Sequence, residues 1–167
     1  MGKGSGSTRS SSAGSPKGLS GGQNALAEER SIKADFATGR EEAIGEIKSY
    51  RARGKAGDLV NAEIDRAMKE TEEVLKMYES VASVSDVNDV DTRVGVELNK
   101  IAYRLDDKAR TQQANADDAK GMTKRVYENA ASALFMAGHN VRNASNYVTT
   151  TPLSRLYEIF RSQNKWK

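Results

Sequence analysis

The sequence predicts an all-α protein with four to five amphipathic helices in an elongated antiparallel bundle. Three observations support this fold class. Apolar residues recur every three or four positions over long stretches, which is the period of one helix face. The 167 residues include two prolines, one of them at the start of the chain, so residues 23–151 can form long helices. The sequence has no Asn-Gly or Asp-Gly hairpin turn and no convincing alternating run of β-branched residues.

The first helical region, residues 24–53, ends at the helix-stopping Gly54. Two alternatives remain inside it, because Thr38 and Glu41 have the capping-box spacing and Gly39 disfavours a helix interior. The region therefore forms either one helix or two that meet at Thr38. Its apolar stripe consists of Ile32, Phe36, Ala43, Ile47 and Tyr50.

The next helix is predicted over residues 58–82, with Asp58 as its N-cap. Its outer face places Asp65 four residues before Lys69, the favourable order for an ion pair within a helix. The apolar face is formed by Val60, Ile64, Ala67, Met68, Val74, Leu75, Tyr78, Val81 and Ala82.

A third stripe predicts a helix that begins between Asp86 and Asp91 and ends near Gln113. Asp86 also opens a twelve-residue calcium-loop register, but Val90 at its fifth position has no side-chain oxygen, and its sixth position is Asp91 instead of glycine. We therefore expect these acids to cap a helix. The stripe consists of Val87, Val90, Val94, Leu98, Ile101, Leu105 and Ala109.

A fourth helix is predicted to begin near Asn115, which forms a cap pair with Asp118. It either ends at Gly138, with His139 just beyond, or continues past the glycine. The stripe runs through Met122, Val126, Ala130, Ala133, Met136 and Ala137, and resumes at Val141, Ala144 and Val148.

A short last helix is predicted from Thr151 as N-cap and Pro152 in its first turn, with Trp166 beyond its end. Its apolar side consists of Leu153, Leu156, Tyr157 and Phe160.

Composition excludes several functional classes. The absence of cysteine excludes disulfides, thiolate zinc sites and a cysteine nucleophile, and a single histidine leaves little scope for a multi-histidine metal site. No paired catalytic carboxylates stand out, so we predict no catalytic, cofactor or metal site. No stretch approaches the ~18 uninterrupted apolar residues of a membrane span.

The chain divides into a leader, residues 1–22, and a helical domain, residues 23–167. The leader contains seven Gly, seven Ser and three basic residues without an acid. Such a segment has little to bury, so we expect it to be disordered. It lacks the apolar centre of a secretory signal, and we therefore expect a cytoplasmic protein.

The net charge of +3 equals the charge of the leader, so the helical domain is neutral. It is nevertheless divided, because residues 23–119 carry a net charge of −6 and residues 120–167 a net charge of +6. The basic part either contacts an external polyanion or docks on acidic helices of the same chain or a neighbouring copy. We favour docking, because nucleic-acid binders more often carry net positive charge over the whole folded domain.

The basic C-terminal part also contains six of the ten aromatic residues. Cations beside aromatic rings suit single-stranded nucleic acid, which makes a nucleic-acid-binding module the alternative function. The candidate contacts to nucleic acid or to an acidic partner are Lys120, Lys124, Arg125, Arg142, Arg155, Arg161, Lys165, Trp166 and Lys167.

The leader, MGKGSGSTR followed by serines and then SPKGLSGG, resembles the N-termini of proteins encoded by phages and prophages of gut bacteria, some near head-morphogenesis genes. The resemblance covers residues 1–22. It implies a phage-derived, virion-associated context, and it implies nothing about the fold of the helical domain.

The leading hypothesis is a non-enzymatic helical assembly or interaction protein. Narrow stripes rich in Ala and Val bury limited area, so we expect further copies to complete the core, and a homo-oligomer or a protein partner to result. No membrane partner is expected.

Overall fold

The computed structural model describes residues 21–167, and over these residues the chain forms a bundle of α-helices without a strand. The predicted all-α architecture is confirmed. The predicted leader lies outside the described residues except for Gly21 and Gly22, which begin the first helix. The helices are α1 (Gly21–Lys48), α2 (Gly54–Leu75), α3 (Val84–Asp117), α4 (Gly121–Arg142), the single turn α5 (Asn146–Val148) and α6 (Ser154–Ser162).

Successive long helices run antiparallel. Between α2 and α3, the chain direction follows from the contacts Tyr78–Asp91 near one end and Glu70–Arg104 further along. The α3 helix has 34 residues and is therefore about 51 Å long. It shares its most extensive interface with α4.

One continuous core runs through the bundle and includes residues from α1, α2, α3, α4 and α6. Its largest fully buried side chains include Tyr78, Phe36 and Phe160. The chain thus closes a core of its own. That further copies add to this core stays a prediction.

The α1 helix continues through Thr38 and Gly39 without a break. Gly39 faces the backbone of the α5 turn, where a Cβ atom would lie 2.3 Å from the carbonyl oxygen of Tyr147. A side chain at this position would collide with backbone. The glycine therefore permits a close crossing of two segments, and the single-helix alternative is the observed one.

The connection between α1 and α2 differs from the prediction. The first helix ends at Lys48, well before Gly54, which instead begins α2 with a φ of 59°. Asp58 is an exposed residue inside α2, so its prediction as N-cap is wrong. The physical reason is Asn61, whose side-chain amide both donates to and accepts from the backbone of Ala52 at 2.9 Å and so fixes the loop.

The α2 helix also ends earlier than predicted, at Leu75, and a 3₁₀ helix over Lys76–Ser80 follows. The α3 helix then begins one residue after Ser83, whose hydroxyl accepts a hydrogen bond from the backbone N–H of Asp86 at 3.1 Å. The Asp86 carboxylate accepts in turn from the backbone of Ala82. Asp86 is thus a capping residue, as the sequence indicated.

The predicted start of the fourth helix near Asn115 and Asp118 is wrong. The α3 helix continues to Asp117, because the buried Ala116 extends its apolar stripe beyond Gln113. The α4 helix begins at Gly121.

The α4 helix continues past Gly138 and ends at Arg142. A Cβ atom on Gly138 would lie 2.8 Å from Asp106 Oδ1 and 3.4 Å from the carbonyl oxygen of Ala102, so the glycine lets α4 approach α3 closely. The stripe prediction for this helix was partly wrong, because Met122 and Met136 are exposed. The buried face consists of Ala130, Ala131, Ala133, Leu134, Ala137, Gly138 and Val141.

The C-terminal segment is already helical at Asn146, so Thr151 is not an N-cap. Pro152 lies in a π-helical turn over Thr149–Leu153. The wider turn accommodates a residue that has no N–H and whose ring would crowd an α-helical carbonyl. The predicted apolar side of this segment is confirmed by the burial of Leu153, Leu156 and Phe160.

No helix among residues 21–167 is both long enough and apolar enough to cross a membrane.

Candidate functional site

Two of the predicted basic residues contact acids on earlier helices. Arg142, at the end of α4, donates from Nη2 to Asp106 Oδ2 at 2.6 Å. Arg155, in α6, forms an ion pair with Asp35 of α1 at 3.7 Å. These are contacts of the kind that docking of the basic part on the chain's own acidic helices requires.

The next basic group lies at the start of α4. Lys124 donates from Nζ to the carbonyl oxygen of Ala116 at 3.3 Å, and so neutralises part of the negative end of α3. Lys120 and Arg125 are exposed.

The basic residues of α6 and the C-terminus contact local partners. Arg161 pairs with Glu158 at 3.3 Å, one helix turn away. The ammonium group of Lys165 lies 5.6 Å from the centre of the Phe160 ring. Lys167 is exposed.

Trp166 is held by backbone contacts while its side chain remains about half exposed. Asn164, two residues after the end of α6, has a φ of 58°, and the chain turns there toward the start of α3. There the carbonyl oxygens of Lys165 and Trp166 accept hydrogen bonds from the N–H groups of Val84 and Ser85 at 2.8 and 3.0 Å. These bonds satisfy two N–H groups that a helix start leaves without partners.

Basic residues of the acidic part, which the sequence analysis did not single out, also hold the bundle together. Arg104 on α3 lies between Glu63 and Glu70 of α2, and Arg40 of α1 contacts Glu79. Burial acts to raise the pKa of Glu70, but the hydrogen bond and charge of Arg104 hold it below its usual value. Much of the acidic charge of residues 23–119 is therefore balanced within that part itself.

The outward-facing surface of α4 has a different character. Phe135 and Met136 are each 39% exposed. Between Glu128 and Arg142, the helix carries no charged side chain. We call this surface the α4 outer face, and its exposed residues are Asn129, Ser132, Phe135, Met136 and His139.

The sequence analysis missed this face because it assigned Met136 to the buried stripe. The signal in the sequence was the long stretch between Glu128 and Arg142 that has no charged residue. On α2, by contrast, exposed positions spaced by four residues are charged, namely Asp65, Lys69 and Glu73.

The chain was compared with protein-family models, with curated proteins and with solved structures, and none of the three comparisons gives a match.

Proposed function

We propose that the protein is a non-enzymatic helical assembly protein, which associates with further copies of itself. The observation that carries the proposal is a bundle that closes its own core and still exposes large apolar side chains on its helices. Phe135 and Met136 are both exposed on α4, in a stretch of the helix that carries no charged side chain. Burial of such side chains drives most protein association.

Charge complementarity supports the same function. The ion pairs Arg142–Asp106 and Arg155–Asp35 join the basic C-terminal part to acidic helices within one chain. The same acidic and basic surfaces can meet between copies, where they set orientation and weaken as salt rises.

The test is sedimentation velocity of the full chain over a range of concentrations at low and at high salt. We expect a species heavier than the 18.2 kDa chain, with a dissociation constant that increases with salt. A monomer at every concentration and both salt levels would contradict the proposal.

The leader's resemblance to the N-termini of phage and prophage proteins supports a virion-associated role for such an assembly. A cytoplasmic location fits the same proposal, since virions are assembled in the host cytoplasm. Immunogold labelling or mass spectrometry of purified virions would test this context directly, and its failure would leave the association itself unaffected.

A nucleic-acid-binding module is the second candidate, and Trp166 favours it. The indole is 51% exposed and lies between Lys165 and Lys167, and stacking on an aromatic ring beside cations is the usual way to bind single strands. Trp166→Ala should then weaken binding of a labelled single-stranded oligonucleotide roughly tenfold, while Trp166→Phe retains most of the affinity. Absence of binding by the full chain at low salt would exclude this candidate.

A further inference from the structure

The α4 outer face has a symmetric arrangement of charge along the helix. Glu128 lies seven residues before Phe135, and Arg142 lies seven residues after it. Seven residues are close to two helix turns, so the three side chains share one side of α4, spaced about 10 Å apart. The face therefore runs from Glu128, through an uncharged centre with Phe135 and Met136, to Arg142, and the exposed Arg125 lies one turn before Glu128.

The two charged ends differ in their local partners. Arg142 is 39% exposed and is held by Asp106 of α3. Glu128 is exposed and forms no ion pair with any residue that the structure describes. The positive end is thus fixed in position, while the carboxylate is available to a cation from another molecule.

We infer that a second copy of this chain docks on the α4 outer face, with its α4 antiparallel to the first about a two-fold axis at Phe135. A two-fold interface requires a surface that is complementary to itself. In the antiparallel arrangement Phe135 meets its own equivalent, and Glu128 lies opposite Arg142 of the partner subunit. The two ends then form two equivalent ion pairs.

Alternative arrangements of two copies fit this face less well. A parallel pairing would place Glu128 beside its own equivalent, and like charges across an interface are repulsive. The exposed face of α2 carries Asp65, Lys69 and Glu73, so its self-association would desolvate charges. The antiparallel pairing of two α4 outer faces avoids the like-charge repulsion, and their uncharged centre avoids the desolvation of charges.

This inference rests on the proposed self-association and assigns a surface to it. The experiment uses the absence of cysteine in the chain, because a single introduced cysteine can form a disulfide only with another copy. Phe135→Cys places the thiol at the two-fold axis, where the two Cα atoms are closest. The matched control is Val96→Cys, at an exposed apolar position on α3.

Under mild oxidation, we expect Phe135→Cys to give a covalent species of about twice 18.2 kDa and Val96→Cys to stay a single chain. A Phe135→Glu variant, which places two carboxylates at the axis, should raise the dissociation constant at least roughly tenfold, whereas Val96→Glu leaves it unchanged. Circular dichroism of each variant confirms that the bundle is folded.

Charge reversal tests the orientation. Glu128→Arg should weaken association, because it places two arginines opposite each other, and E128R combined with R142E should restore part of it. If the wild-type chain associates but Phe135→Cys does not cross-link and Phe135→Glu associates normally, the assigned surface is wrong and the proposed function stands. If the wild-type chain is a monomer throughout, both fail.

Discussion

Tyr78 donates a hydrogen bond from its buried phenol to Asp91 Oδ1 at 2.6 Å. The tyrosine belongs to the 3₁₀ helix after α2 and is the largest fully buried side chain, while the carboxylate belongs to the second turn of α3. One hydrogen bond thus ties the end of α2 to the start of α3. Burial raises the pKa of the phenol well above 10, and Asp91 adds to the rise.

Tyr78→Phe should lower the free energy of unfolding by about 1 kcal/mol, the usual net value of such a hydrogen bond when the remaining partner can reach water. Asp91 is exposed and regains water in the variant. Urea denaturation measures the difference. Tyr103→Phe, at a side chain that is 63% exposed, is the control and should match the wild type. A Tyr78→Phe variant as stable as the wild type would contradict this account.

Because of the buried Tyr78 phenol, we expect the free energy of unfolding to depend on pH. The pKa of the phenol is higher in the folded state than the value near 10 of the unfolded chain, so the folded state retains the proton where the unfolded state loses it. The stabilisation is fully present below pH 10 and decreases above it. The stability advantage of the wild type over Tyr78→Phe should therefore decrease as the pH rises above 10. Denaturation at pH 9 and pH 11 measures it, and an unchanged difference would contradict the prediction.

Two glycines of α1 should respond to alanine with opposite signs. Gly39→Ala should destabilise the bundle by about 2 kcal/mol or more, since its Cβ would collide with the carbonyl oxygen of Tyr147. Gly45→Ala has open space around the new Cβ and should stabilise by about 0.5–1 kcal/mol through helix propensity. Thermal or urea unfolding of both variants gives the comparison, and equal effects would argue against the close crossing at Gly39.

Thr71 is fully buried on α2, and its hydroxyl has no hydrogen-bond partner among the described residues. A buried hydroxyl without a partner loses its hydration without compensation. Thr71→Val has nearly the same shape and should raise the free energy of unfolding by about 1 kcal/mol. A destabilised Thr71→Val variant in urea denaturation would show instead that the hydroxyl is satisfied in solution.

The helical spacing of apolar residues predicted the fold class and most of the core. A stripe such as Val87 to Ala109 fits one helical face, and no second apolar stripe overlaps it. Helix ends were less predictable. Asp58 satisfies the local preference for an N-cap, but the distant pair Asn61–Ala52 sets the start of α2. Local capping signals compete with tertiary contacts that the sequence does not display.

The outward surface of α4 could not be assigned from periodicity, because its many alanines allow two overlapping stripes. The close contact between Gly138 and α3 selects the stripe that buries Leu134 and exposes Met136. The basic candidates were recognised as a set, but their individual partners depend on the fold. Arg142, for example, meets Asp106 from a site 36 residues away in sequence.

The most direct test of the central claim, that the chain is a self-associating helical bundle, is its mass in solution by light scattering, with and without a short single-stranded oligonucleotide. The account predicts a species heavier than 18.2 kDa whose mass rises with protein concentration and does not change when the oligonucleotide is added. A particle of 18.2 kDa at every concentration, which grows only when the oligonucleotide is present, would contradict it and favour the nucleic-acid-binding module.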